Sequence, residues 1–113
     1  SDLLRVMPQA IDDIYTSVHY CLGMILDPKV KGKRLEIMNQ LKDMGIGTSI
    51  YYPIPLPRMT YYKRKYGFNK ESCFNANIIS ESIIALPVGP HLNITDMEYI
   101  GSSVIEVLGN AKN

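Results

Sequence analysis

The chain has 113 residues, of which 12 are Lys or Arg and 11 are Asp or Glu, so its net charge is +1. That balance supplies no broad field toward polyanions or membranes, and 46% apolar with 20% charged residues describes a globular domain. Two cysteines, Cys21 and Cys73, make no disulfide framework, and neither they nor His19 and His91 have metal-ligand spacing.

The first fifteen residues, "SDLLRVMPQAIDDIY", carry Pro8 and no clean period, so residues 1–15 read as a lead-in segment or linker. Asp12-Asp13 within them reads as a solvated pair rather than a metal site. The domain proper is expected over residues 16–113. "TSVHYCLGMIL", Thr16 to Leu26, is apolar and β-branched up to the turn signal Asp27-Pro28, which predicts a largely buried strand. It places His19 as a satisfied structural histidine and Cys21 as a buried thiol; Cys73 is expected to be buried as well.

In "GKRLEIMNQLKDMG", Leu35, Met38, Leu41 and Met44 recur at helical spacing, and Ile37 widens the stripe. Gly45 stands where a left-handed residue closes a helix. "TSIYY" predicts a short strand, stopped by Pro53, Pro55 and Pro57, which cannot join a sheet interior. "RMTYYKRKYG" predicts a short helix ending at Gly67, and Glu71–Ser82 a further one with Phe74 and Ile78 on one face. "IIALP", Ile83 to Pro87, predicts a strand.

The last helix has the strongest start signal. Thr95 and Glu98 fit a capping box, with Ile94 stapled to Tyr99. Met97, Ile100, Val104 and Val107 form its stripe, and Gly109 ends it. Together these elements predict an α+β domain: a small, mostly antiparallel sheet of about three strands with helices packed on it. No dinucleotide or P-loop glycine pattern and no Gly-x-Ser-x-Gly elbow is present, so the residues alone show no self-contained catalytic apparatus. His91, between Pro90 and Leu92, is expected in an exposed turn.

The stretch from Tyr51 to Phe68 sets five tyrosines and Lys63-Arg64-Lys65 around three prolines. Three readings stay open on chemistry alone. Aromatics with cations suit single-stranded nucleic acid, phenols with an arginine suit a sugar or phosphate, and the tyrosines of a short helix can simply pack on their own domain.

Gly45-Ile46-Gly47-Thr48, Tyr51-Tyr52-Pro53, Tyr66-Gly67-Phe68, Phe74-Asn75-Ala76 and the run Ala85 to Leu92 occur in order and at matching spacing. In them the sequence resembles the C-terminal small domain of the DegT/DnrJ/StrS family, pyridoxal-phosphate (PLP)-dependent aminotransferases acting on keto-sugar nucleotides. It departs from the family pattern at Pro57, Thr60 and Asn77, and it has Tyr20 where the first strand commonly carries a histidine.

The resemblance implies a fold of the aspartate-aminotransferase type, whose Schiff-base lysine and most phosphate contacts lie in a large N-terminal domain. It therefore implies PLP in the full-length enzyme, none in this chain alone, and no catalytic residue or metal here. Tyr51, Tyr52 and Arg58 become the substrate-facing residues. The implied partners are the N-terminal PLP domain, a nucleotide sugar and a second copy in a cytoplasmic homodimer, with no nucleic acid or membrane. Met7, Ile11, Ile54 and Leu56 are expected to form surface left bare without the large domain. The alternatives are a stand-alone ligand-binding or interaction module and a nucleic-acid-binding domain.

Overall fold

The computed structural model describes residues 2–8, 14–69 and 71–111. A three-stranded antiparallel sheet runs in the order β1 (Leu4–Val6), β2 (Leu22–Leu26), β3 (Ile83–Leu86). Among the described residues four α-helices accompany it: α1 (Arg34–Asp43), α2 (Thr60–Tyr66), α3 (Phe74–Ser82) and α4 (Ile94–Ala111). The predicted α+β class holds. No described helix is long and apolar enough to cross a membrane.

Alternation along β2 divides the sheet into two faces. Met24 and Leu26, with Ile84 opposite Met24, join Ile37 and Leu41 of α1 and Val104, Val107 and Leu108 of α4 in one core cluster. On the other face Ile25 lies opposite Ile83. There Met7 sits so close over Gly23 that an added Cβ would stand 3.1 Å from its sulfur. A side chain at that crossing would have to push Met7 and the end of Ile83 aside by a few tenths of an ångström.

Helix α1 ends as its sequence predicts. Gly45 has φ +79, its N–H donates to Lys42 C=O at 2.9 Å, and Ile46 N–H reaches Leu41 C=O at 2.9 Å. This is the paired closure of a Schellman motif, and Ile46 and Leu41 are both buried in the core, as that motif favours. The Tyr99 hydroxyl of α4 donates to Met44 C=O at 2.9 Å, satisfying another end carbonyl of α1.

Several expectations change. The lead-in segment contains β1, which pairs Leu4–Val6 with Met24–Leu26, so part of it belongs to the sheet. Of the strand predicted over Thr16–Leu26, only Leu22–Leu26 forms a strand; Val18, His19 and Tyr20 run exposed ahead of it, His19 at φ 50. "TSIYY" contributes one bridge, Ser49 to Ala85, rather than a strand, because the chain bends away at Tyr51, and the prolines beyond supply no donors to resume a ladder. In α1 the stripe is centred on Ile37 and Leu41, and Leu35 is 70% exposed.

The cap of α4 is shifted two residues toward the N-terminus. Asn93 and Asp96 form the reciprocal box, Asp96 N–H donating to Asn93 Oδ1 at 3.0 Å and Asn93 N–H to Asp96 Oδ2 at 2.9 Å. The helix then runs through Gly109 to Ala111, and exposed Ile94 makes no staple. Phe74 and Ile78 do share a face of α3, yet both are exposed. Cys73 is exposed and Cys21 half-buried, both as free thiols. Asp12, Asp13 and Ile11 lie outside the described residues.

Candidate functional site

The chain leaves the sheet at the Ser49–Ala85 bridge and turns directly into Tyr51 and Tyr52, whose rings lie 5.6 Å apart. The peptide bond between these two residues is cis. Tyr20, just ahead of β2, stacks on Tyr51 at 6.3 Å and an interplanar angle of 17°. Three phenols from two distant segments thus form one exposed cluster. Beside it is a small cleft of about 190 Å³ lined by Tyr20, Cys21, Thr48, Ser49, Tyr51 and Pro87.

The phenols also interact electrically. Tyr20 is held above the ordinary tyrosine pKa, first by the charge that Tyr52 would carry when ionised and then by a hydrogen bond with Tyr52. Tyr51 adds to the same effect, because clustered phenols resist becoming adjacent anions. The cluster offers hydroxyls, each able to donate and accept, on flat apolar rings. That is suitable chemistry for a polyhydroxylated ligand.

The loop beyond is fixed by its prolines and by α3. Pro55 and Pro57 are buried, while Ile54 and Leu56 are 53% and 57% exposed, the bare apolar surface expected for them. Met7 is instead half-buried, packed over Gly23. The buried Ser80 hydroxyl donates to Tyr52 C=O at 2.7 Å, and Arg34 Nη1 donates to Ser80 C=O at 2.7 Å.

Arg58 stands apart from the tyrosines. Its Nη1 meets Glu81 Oε1 at 3.0 Å, and Lys31 Nζ reaches the other carboxylate oxygen at 3.5 Å. These groups border a second, open groove of about 950 Å³ between the β1–β2 ribbon and α3, with Arg5, Lys63, Phe74 and Ile78 on its walls. The three residues expected to act together are therefore divided: Tyr51 at the small cleft with the Tyr52 ring against it, Arg58 at the large groove.

On α2 the aromatic and basic groups turn toward each other. Tyr61 meets Tyr62 edge-on at 5.1 Å, Tyr62 stacks on Tyr66 at 6.2 Å, and Tyr66 leans on Phe68 at 5.7 Å. Lys65 lies 5.4 Å and 5.3 Å from the centres of the Tyr61 and Tyr66 rings. Ring faces occupied by one another and by a cation are spent on local packing, the reading that treats these tyrosines as structural. His91 is exposed in a turn, as expected, and no metal-ligating cluster occurs among the described residues.

Sequence reasoning left three residues out of the site: Tyr20, Ser80 and Glu81. Tyr20 was marked only by its place in a family pattern. The two α3 residues carry no local signal, since their partners are 28 and 23 residues away in the chain.

The model of the DegT/DnrJ/EryC1/StrS aminotransferase family matches residues 2–105. A UDP-4-amino-4-deoxy-L-arabinose–oxoglutarate aminotransferase of Shewanella sediminis is 30% identical over 89 residues, covering 75% of this chain and 23% of that protein. Among solved structures, the aminotransferase TlmJ of Streptoalloteichus hindustanus superposes with a TM-score of 0.77 at 24% identity, over 99% of this chain and 28% of that one. Spr1654 of Streptococcus pneumoniae, assigned as a sugar aminotransferase and solved in its PLP form, gives 0.77 at 22% identity, over 96% and 27%. The chain spans 20% to 26% of the length of the curated relatives it matches.

Proposed function

Because the chain belongs to the DegT/DnrJ/EryC1/StrS aminotransferase family, we propose that it is the C-terminal small domain of a PLP-dependent enzyme that aminates a keto-sugar nucleotide. The family match along nearly the whole chain carries this reading. The sugar-nucleotide reaction in the Shewanella sediminis relative's name and the PLP form of the Streptococcus pneumoniae structure support its details.

When bound, PLP supplies an electron sink through an imine with a lysine. The described lysines do not fit that part. Lys31 is paired with Glu81, Lys33 donates to Ala111 C=O, and Lys65 lies over tyrosine rings. Lys29, Lys42 and Lys63 are exposed, whereas a Schiff-base lysine is activated by enclosure. We assign the cofactor to a large N-terminal domain of the same enzyme, and no step through it to this chain. The working unit on this reading is a cytoplasmic homodimer, and the chain alone transaminates nothing.

What this chain contributes is one wall of the substrate site. Tyr51 and Tyr52 present hydroxyls to sugar oxygens and ring faces to the sugar's apolar side, with Tyr20 backing them. Arg58, held on one side by Glu81, meets a phosphate or carboxylate from the neighbouring groove.

The test uses the full-length enzyme with PLP, L-glutamate and a panel of UDP- and TDP-linked keto-sugars, following 2-oxoglutarate. Amino transfer to at least one keto-sugar nucleotide is the expected result; transfer to simple keto acids alone overturns it. Tyr52→Phe and Arg58→Ala should each raise KM about tenfold, the loss of one good polar contact to a ligand.

A further inference from the structure

We propose that the last turn of α3, through Ser80 and Glu81, is the positioning element for the loop that carries Tyr51, Tyr52 and Arg58. Its bearing on catalysis rests on the reading of that loop as substrate-facing. The loop cannot be held as a strand is, because Pro53, Pro55 and Pro57 lack N–H groups. Its last sheet contact is the Ser49–Ala85 pair, at 3.1 and 2.8 Å. The bonds further on, Arg58 N–H to Pro55 C=O and Met59 N–H to Leu56 C=O, are local to the loop and fix its shape but not its place.

Two consecutive residues of α3 supply the missing attachment. Ser80 is 3% exposed, and its hydroxyl donates to Tyr52 C=O at 2.7 Å. Glu81 receives Arg58 at 3.0 Å. The α3 turn is itself secured from the far side. Arg34 donates to the Ser80 carbonyl, one of the end carbonyls that a helix leaves without a partner, and Lys31 reaches Glu81. The start of α1, the end of α3 and the loop are thereby tied at one point.

The two ties are unequal. Arg58 and Glu81 are 43% and 47% exposed, so their pair is screened and contributes little. The hydroxyl–carbonyl bond has a buried donor and fixes the main chain at Tyr52 itself, so it dominates. Ser80 touches no substrate atom on this assignment; it sets where the phenols of Tyr51 and Tyr52 stand relative to Tyr20.

The experiment uses the full-length, PLP-loaded protein. Ser80→Ala should speed amide exchange across residues 49–59 about fivefold, the loss of one net hydrogen bond, while 34–43 and 94–111 keep wild-type rates. With a keto-sugar nucleotide accepted in the amino-transfer assay, KM should rise about tenfold and kcat stay within about twofold, since orientation and not chemistry is disturbed. Unchanged exchange across 49–59, or an equal rise in all three segments, overturns the proposal. Should Ser80→Ala fail to fold, the near-isosteric Ser80→Cys, a much weaker donor, decides: faster exchange across 49–59 supports the tie, and wild-type exchange there overturns it. A loosened loop with unchanged KM keeps the tie and instead overturns the substrate-facing reading.

Discussion

The two faces of the sheet are held by different physics. On one, α1 and α4 close over Met24, Leu26 and Ile84 with Ile37, Leu41 and Leu108 at 0% exposure, a finished apolar core. On the other, α2, α3 and the proline loop are tied by hydrogen bonds and ion pairs, while Phe74 is 68% exposed, Tyr61 61% and Leu56 57%. Apolar burial gives stability without direction. The polar ties give direction with little stability, which suits the proposed role of this face as one wall of a substrate site.

The sharpest test of that contrast is Leu108→Ala, expected to destabilise the chain by about 3 kcal/mol in denaturant unfolding, since a fully buried leucine leaves a cavity. Next, Asn93→Ala should cost about 1 kcal/mol through loss of the α4 cap, while Thr95→Ala stays within about 0.3 kcal/mol. The reverse order would restore the Thr95–Glu98 box. Smaller still, Phe74→Ser and Ile78→Ser should each change the chain's own stability by less than about 0.5 kcal/mol, as exposed positions do. A loss like that of Leu108→Ala would place them in a core after all.

The least effect is a shift of titration. Tyr20 should ionise above 10.0, and Tyr52→Phe should bring it back toward that value, read by phenolate absorbance. The sign follows from linkage. A raised folded pKa favours the folded state below the ordinary value of 10.0, and that contribution is lost as pH rises through the folded value.

What the sequence disclosed follows the same division. Helices α1 and α4 and strand β3 were legible because periodicity, a closing glycine and a stopping proline are local signals. Strand β1 was not. Its three residues have no pattern of their own and become a strand only because β2 is there to pair with. "TSIYY" errs the other way, since its β-branched and aromatic residues suit a strand but the chain bends away at Tyr51 after one bridge. At α4 the expected Thr95–Glu98 box gives way to one that begins two residues earlier. The 93–96 pair forms the box, directly after a turn closed by Leu92 N–H on Gly89 C=O.

Within the candidate site, the positions of Tyr51, Tyr52 and Arg58 on one loop were readable from the prolines. That Arg58 would turn to Glu81 and away from the tyrosines was not, and neither was the arrival of Tyr20. Both depend on how α3 and the approach to β2 are placed in space.

The Ser49–Ala85 bridge also limits what can add to the sheet. Strand β3 offers an outer edge to any extended peptide, including another copy of itself, and its middle residue already has both main-chain groups taken there by Ser49. Pro87 closes one end of that edge, and β1 at the opposite side of the sheet is three residues long, carries Arg5 and is soon followed by Pro8. Short, charged and proline-flanked borders make a poor template for strand addition. Ser49, at the entrance to the tyrosine loop, and the flanking Pro8 and Pro87 therefore help keep a half-covered sheet from polymerising.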